Sequence, residues 1–332
     1  MEGGDLTRQS WLDALNADPL PWLLEPGNPS VRYLTLTDLL DRTADDPEVA
    51  GAHRAILDLE PVRRILNAQW PEGYWMHPGL GYSPKYRATV WQIIFLAVMG
   101  VPRCEPVARA VEYALAHSRL PDGRFSARQD EQGAVLCLNG NLLRALAWFG
   151  YAQDLRATET RRAMAAQIIR DGCRCRYNAP AEGRPSRMRD GLPCAWGAIK
   201  ALGALTALPE KARTPEEAEA ICQTIDFLLA HDLAAGDYPT ATEPSLLWHR
   251  FGFPLGYTSN VLEAVEGLLQ AGVPADDLRL RSALALVLAK QTDQGRWLLE
   301  HTPGKTWASF GCLNKPNKWV TLRAMRVLKH AG

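Results

Sequence analysis

Residues Gln69–Trp75 read Gln-Trp-Pro-Glu-Gly-Tyr-Trp, and residues Gln291–Trp297 read Gln-Thr-Asp-Gln-Gly-Arg-Trp. Both segments therefore carry the pattern Gln-x-x-x-Gly-x-Trp. A glycine lets the backbone turn where a side chain would clash, and a tryptophan buries a large ring whose N–H can still form a hydrogen bond. The two copies predict the same tight turn, fastened by a buried ring, near each end of the chain.

Weaker copies of the Gly-x-aromatic part lie between these two segments. They are Gly123-Arg124-Phe125 and Gly236-Asp237-Tyr238, while Gly172-Cys173-Arg174 keeps the glycine without the ring. The glycines at positions 73, 123, 172, 236 and 295 are 50, 49, 64 and 59 residues apart. A period of about 50 residues indicates one supersecondary unit that is copied about five times.

Each repeat combines two kinds of helix. The first kind has a single apolar stripe, as in Glu105–His117, where Val107, Val111 and Leu115 fall on one face. The second kind follows the turn and is apolar on nearly all sides, which is typical of a helix that is buried all round. These second helices are predicted at Ala88–Met99, Leu138–Phe149, Ala195–Leu208, Thr258–Leu269 and Trp319–Leu328.

Helices that bury one face alternate with helices that are buried on all sides, as expected for an outer and an inner ring of helices. The sequence therefore predicts an all-α fold, an α/α toroid built from about five helix hairpins. An open solenoid is the alternative, but its groove-side helices would be less apolar than these.

Residues 1–48 are predicted to form capping helices and residues 49–332 a single toroid domain. Glycines at 100, 150 and 272 mark helix ends, and Thr214-Pro215-Glu216-Glu217 has the composition of a capping box.

The overall composition is that of a globular protein without net charge. Of 332 residues 47% are hydrophobic and 22% charged, and 37 Lys and Arg balance 37 Asp and Glu. Neither nucleic acid nor an anionic membrane is therefore an expected partner. The N-terminal residues lack the apolar core of a signal peptide, and no apolar stretch is long enough to span a bilayer. Seven cysteines, an odd number, fit a reducing compartment, so the expected localisation is cytoplasmic.

The repeated Gln-x-x-x-Gly-x-Trp pattern resembles the QW motif of the squalene and oxidosqualene cyclases, and the helix pairs resemble the protein prenyltransferase β-subunits. The resemblance covers roughly residues 50 to 332 and implies the toroid fold of this terpenoid cyclase and prenyltransferase superfamily. In that motif the glutamine side chain connects a helix end to the loop. The resemblance implies this structural role for the motif residues Gln69, Gly73, Trp75, Gln291, Gly295 and Trp297. The Asp-x-Asp-Asp motif with which class II cyclases protonate their substrate is absent, so a standard cyclase of that class is not expected.

Four cysteines lie where loops enter the predicted inner helices, around one mouth of a toroid. They are Cys137, Cys173, Cys175 and Cys194. Thiolates suit Zn²⁺, and the resemblance adds that prenyltransferases hold a catalytic zinc with an Asp, a Cys and a His in this part of the fold. The sequence thus offers a possible zinc site, and Asp190 near Cys194 is similar in composition. The alternative is that these are small buried thiols that pack in the core.

Basic and aromatic side chains near the same mouth suit a diphosphate-bearing isoprenoid. Arginine forks bind phosphate or carboxylate through two hydrogen bonds, and aromatic rings line apolar cavities. The predicted binding residues are Tyr86, Arg87, Asn141, Arg187, Arg189, Trp196, Tyr257 and Lys318. The alternatives are solvated loop charge for the basic residues and ordinary core packing for the aromatic ones.

Glu263 is the first choice for an acid or base, because it lies within an otherwise apolar helix where an ionised carboxylate is costly without a partner. Asp190 is the second choice. A carbohydrate-active barrel would need paired carboxylates at the cavity mouth, and these two residues are the pair that sequence suggests for it.

Two functions follow as hypotheses. The first is an enzyme, a transferase or cyclase with or without a metal, that holds an apolar isoprenoid-type molecule in the central cavity. The second is a binding or scaffold protein that keeps the toroid without the family's chemistry. Fold resemblance alone does not separate them.

Overall fold

The structure is a computed structural model that describes residues 11–175, 191–241 and 243–332. Within these ranges it is built from α-helices, and its β-structure is confined to isolated bridges. The α-helices are α1 (Leu20–Leu23), α2 (Pro29–Leu34), α3 (Pro47–Ala55), α4 (Glu60–Asn67), α5 (Thr89–Val98), α6 (Glu105–His117), α7 (Leu136–Trp148), α8 (Leu155–Asp171), α9 (Ala195–Leu205), α10 (Pro215–Leu229), α11 (Val261–Gln270), α12 (Arg281–Ala289) and α13 (Lys318–Ala331). A π-helical turn at Thr35–Leu39 extends α2.

The helices form two concentric rings, as the sequence predicts. In the inner ring α5, α7, α9, α11 and α13 pack side by side in chain order, and α5 is buried from Thr89 to Ala97. In the outer ring α6, α8, α10 and α12 each lie against an inner helix and bury one stripe. On α6 that stripe consists of Val107, Ala110, Val111, Ala114 and Leu115. The all-α toroid is confirmed.

Residues 29–39 close the inner ring. On one side α2 and its π-helical extension pack against α13. On the other side Ser30 Oγ donates to Met99 O at the end of α5 over 2.5 Å. The sequence predicts a cap for residues 1–48, with a break at Pro26 and Pro29. In the structure residues 29–39 take the place of a sixth inner helix between α13 and α5.

Aromatic side chains at the repeated turns bond back to the preceding helix. Trp75 Nε1 donates to Ile65 O over 2.7 Å. Trp297 Nε1 makes the same bond to Val287 O over 2.8 Å, and both rings are fully buried. The Tyr238 hydroxyl reaches the carbonyl ten residues before it over 3.0 Å. One geometry therefore recurs in three repeats, although the ring type differs.

The glutamine and glycine of the pattern hold the turn against its neighbour. Gln69 Nε2 donates to Pro106 O in the first turn of α6 over 2.9 Å. Gln291 Nε2 donates to Ala14 O over 3.2 Å. Gly73 has a φ of +99°, and a Cβ there would lie 2.7 Å from a carbonyl oxygen of α6, so this position requires glycine.

The predicted helix ends are present. Gly100, Gly150 and Gly272 have φ values of +72°, +81° and +91°, as expected for left-handed caps. Thr214 and Glu217 form a capping box at the start of α10. In the part of the chain that the structure describes, no helix has the length and apolar character needed to cross a membrane.

Candidate functional site in the central cavity

A cavity of about 350 Å³ lies between the inner helices. Its volume falls in the usual range of small-molecule sites. Apolar side chains form most of its wall: Leu34, Ile94, Ala97, Val98, Ala145, Ala147, Trp148, Ala207, Phe253, Leu255, Trp319 and Leu322. The remainder of the wall is polar: Asn141, Arg144, Lys200, Glu263, Arg323 and Arg326.

The cavity opens at the end of the toroid where the inner helices terminate. Trp148 at the end of α7 and Ala207 after α9 line the cavity and are exposed to solvent. The opposite end is covered by the segment before α11. Phe253 and Leu255 of that segment line the cavity, and Asn141 Nδ2 donates to Gly256 O over 3.0 Å. The opening is therefore opposite to the mouth at which the sequence analysis placed the binding residues.

A buried ion pair forms the polar part of the wall. Lys200 Nζ lies 2.7 and 2.5 Å from the two carboxylate oxygens of Glu263, and Ser259 Oγ donates to the same carboxylate over 2.6 Å. Burial raises the pKa of the Glu263 carboxyl, but the charges of Lys200 and Arg323 outweigh it and hold this pKa below its usual value. Burial also lowers the pKa of Lys200 despite the neighbouring carboxylate. The carboxylate is thus ionised and has the partner that its burial requires.

A close helix crossing positions Lys200. A Cβ on Gly140 of α7 would lie 2.3 Å from the backbone carbon of Lys200 on α9. The two helices can approach this closely because α7 has no side chain at the contact. The crossing brings Lys200 into the interior, where only a paired cation is tolerated.

Two further cations line the same wall. Arg323 donates to Glu266 through Nε over 2.9 Å and through Nη2 over 2.6 Å. Arg326 bonds Asp38 and lies 3.5 Å from Glu266. Burial raises the pKa of Glu266, but the charges of Arg323, Arg326 and Arg144 outweigh it and lower this pKa to about 2. The wall of the cavity is therefore a network of charges, and it is rich in cations.

An aromatic stack occupies the mouth at the starts of the inner helices. The rings of Tyr86 and Tyr257 stack with centroids 6.3 Å apart, and Trp196 meets Tyr257 edge-on at 6.1 Å. Tyr86 has a φ of +66°, a left-handed conformation that costs a non-glycine residue about 1–2 kcal/mol. A Cβ on Gly256 would lie 2.5 Å from its ring. Tyr86 and Tyr257 are thus packed at this end of the toroid, but neither lines the cavity.

The other predicted binding residues are dispersed. Arg87 stacks on Trp307 at 4.1 Å, and Lys318 pairs with Glu25 at 2.8 Å. Trp196 lines a second cavity of about 680 Å³ beside Tyr238 and Trp248. Asn141 is thus the member of the predicted binding set that lines the central cavity, among the residues that the structure describes. Arg187, Arg189 and Asp190 lie outside the described residues.

Three of the four cysteines converge. The Cys175 thiol hydrogen-bonds with Cys194, and this bond together with burial raises the pKa of Cys194. Burial and the neighbouring Cys175 raise the pKa of Cys137 to about 12. The backbone of Cys173 lies beside Cys194, whose N–H donates to Cys173 O over 2.7 Å, but its thiol points away, with the sulfur 3.9 Å from Thr224 Oγ1.

In the described residues, no three His, Cys, Asp or Glu side chains are placed to hold a metal ion. The zinc site stays a prediction, and no step proposed below depends on a metal.

The sequence analysis missed the cations of the cavity wall. The signal that selected Glu263, a charge inside an apolar helix, is also present at Lys200 in the run Ala-Ile-Lys-Ala-Leu. Arg144, Arg323 and Arg326 also lie inside helices predicted to be buried, so the same signal was present there.

Comparison with solved structures supports the toroid. An unsaturated glucuronyl hydrolase specific for heparin aligns with a TM-score of 0.50 and 12% identity over 99% of this chain and 97% of that chain. The type II terpene cyclase MstE from Scytonema aligns with a TM-score of 0.30 and 14% identity over 82% of this chain and 96% of that one.

No protein-family model matches the sequence, and no match is found among curated proteins. At 12% identity the likeness to the glucuronyl hydrolase bears on the fold alone. The chain is an α/α toroid with a partly apolar, cation-rich central cavity.

Proposed function

We propose that this protein binds a small, mainly apolar molecule of the isoprenoid type in its central cavity. The composition of the cavity wall carries the proposal, because two thirds of its residues are apolar and the polar ones are grouped together. A ligand with an apolar body and one polar end would match this division. Ligand sites commonly combine a mainly apolar lining with a few placed polar groups.

An enzyme would use Glu263, which lines the cavity as a carboxylate held by Lys200. Its oxygens accept from Lys200 and Ser259 and keep lone pairs that could accept a proton from a ligand. We therefore retain a transferase or cyclase as one form of the proposal, with Glu263 as base, and a non-catalytic binding protein as the other. Asp190 remains a prediction for a second acidic group.

A carbohydrate-active site has less support. It would need two carboxylates facing the cavity. Glu263 faces it, whereas the neighbouring Glu266 is buried against Arg323 and is absent from the cavity wall. A pair would thus depend on Asp190.

Titration calorimetry with geraniol tests the shared binding step. We expect saturable binding to the parent. Ala207→Trp, which places a large ring at the open end of the cavity, should weaken binding at least tenfold, a loss of about 1.4 kcal/mol of binding free energy. Ala116→Trp on the outer helix α6 is the matched control, because this alanine is also exposed but lies away from the cavity. No binding to the parent, or equal binding to Ala207→Trp, would overturn the proposal.

Turnover separates the two forms of the proposal. If the protein is an enzyme, incubation with prenyl alcohols or diphosphates gives a new product. Glu263→Gln should then abolish product formation while calorimetry still detects bound geraniol. If no product forms from ligands that bind in the cavity, the non-catalytic form is correct.

A further inference from the structure

The charges around the central cavity do not balance. Four cations line it, namely Arg144, Lys200, Arg323 and Arg326. Three carboxylates each form an ion pair with one of these cations. Glu263 pairs with Lys200 at 2.5 Å, Glu266 pairs with Arg323 at 2.6 Å, and Asp38 pairs with Arg326. One positive charge is left over.

The remaining charge is that of Arg144. Among residues 11–175, 191–241 and 243–332, no side chain or carbonyl forms a hydrogen bond or ion pair with its guanidinium. Its charge does act on the network, since it helps to lower the pKa values of Lys200 and Glu266. An arginine that is partly withdrawn from water without a counter-charge is unfavourable, and a bound anion would remove that cost.

The position of Arg144 suits the recognition of a ligand's polar end. It lies one turn before Trp148 on α7, close to the open end of the cavity, and its Nη1 is near Gly203 at the end of α9. None of its nitrogens is a buried atom without a partner, so its donors face the cavity's solvent. A guanidinium presents two parallel N–H donors that match a carboxylate.

We propose that Arg144 binds a single carboxylate of the cavity's ligand, so that the preferred ligand is an isoprenoid-type monocarboxylic acid. One negative charge neutralises the one excess positive charge. A diphosphate would bring further negative charge next to Glu263, whose carboxylate lines the same cavity. This inference rests on the proposed function and specifies its ligand.

The test compares three probes that share one apolar body: geraniol, geranic acid and geranyl diphosphate. The quantity measured is the ratio of their affinities by titration calorimetry at neutral pH. For the parent we expect geranic acid to bind about tenfold more tightly than geraniol, because a hydrogen bond between two charged groups is stronger than one to a neutral hydroxyl. Geranyl diphosphate should bind more weakly than the acid.

Variants assign the preference to one side chain. Arg144→Gln should reduce the acid-to-alcohol ratio to about one, and Arg144→Lys should keep part of it because it retains the charge. Arg64→Gln on the outer helix α4 is the matched control, since it removes one exposed cation far from the cavity and should leave the ratio unchanged.

Three results would overturn the inference: equal affinities of alcohol and acid for the parent, a preference for the diphosphate, or an unchanged ratio in Arg144→Gln. In each of them binding of geraniol would leave the proposed function intact. If none of the three probes binds the parent, the proposed function itself fails.

Discussion

At the scale of single residues, the cations of the cavity wall differ in how they are compensated. Arg323 bonds Glu266 through two nitrogens, and both side chains are buried. Arg144 has no such partner within the described chain. Both arginines line the same cavity, yet within the described residues only Arg323 is held by a carboxylate.

We expect Arg323→Gln to lower the free energy of unfolding by about 3–5 kcal/mol, because it leaves Glu266 as a buried charge with fewer partners. Arg144→Gln should change it by less than about 1 kcal/mol, because no bond is lost. Urea denaturation followed by circular dichroism measures both. A larger loss for Arg144→Gln than for Arg323→Gln would show that the charge network has been misassigned.

The ionisation of Glu266 predicts an acid-sensitive fold. Its pKa is lowered to about 2 in the folded protein from an ordinary value of 4.5. The unfolded chain therefore binds a proton first as the pH falls, so the stabilisation is complete above about pH 4.5 and is lost progressively towards pH 2.

We expect the free energy of unfolding of the parent to decrease as the pH falls from 7 to about 3. In Glu266→Gln it should be smaller at pH 7 and should decrease less over this interval. Urea titrations at several pH values give both slopes. Parallel curves for parent and variant would contradict the role given to Glu266.

At the scale of helices, the crossing of α7 and α9 depends on Gly140. A Cβ there would meet the backbone of Lys200 at 2.3 Å. Gly140→Ala should therefore destabilise the protein by at least about 1–3 kcal/mol, although alanine favours helix. Gly267→Ala in α11 is the control, because its nearest neighbour would be 3.9 Å away, and it should be neutral or stabilising. Thermal unfolding compares the two, and equal stabilities would refute a close crossing.

The turn that follows α4 is held by the Trp75 indole. Trp75→Phe keeps a ring but leaves the buried carbonyl of Ile65 without its donor, which should cost about 1–3 kcal/mol. Trp70→Phe alters an indole that is 52% exposed and should have little effect. Denaturation midpoints of the two variants measure the difference. A similar small effect for both would mean that the indole bond adds nothing to the turn.

The helices and the turns could be predicted from sequence because their signals are local. The dry helices, the Gly-x-aromatic turns and the capping box at Thr214 depend on neighbours within a few residues. The pairing of Lys200 with Glu263 spans 63 residues and depends on how helices cross, so two isolated charges were visible in the sequence but their pairing was not. The covered end of the cavity is lined by Phe253 and Leu255, which lie in a loop that no local pattern places against the inner helices.

At the scale of the whole molecule, the chain closes on itself. Residues 29–39 lie between the first and last inner helices of the repeats, so the ends of the repeat array are covered and the interior is a cavity instead of a groove. The period of the sequence predicts the toroid, but residues 1–48, which include this segment, are predicted to form a cap.

Closure of the ring leaves an apolar, cation-rich cavity on the axis of the toroid.

A crystal structure of the protein with geranic acid tests this account most directly. We predict the terpenoid chain against Trp319 and Leu322 and the carboxylate on Arg144. Ligand density confined to the second cavity beside Trp248, with the central cavity unchanged, would contradict the account.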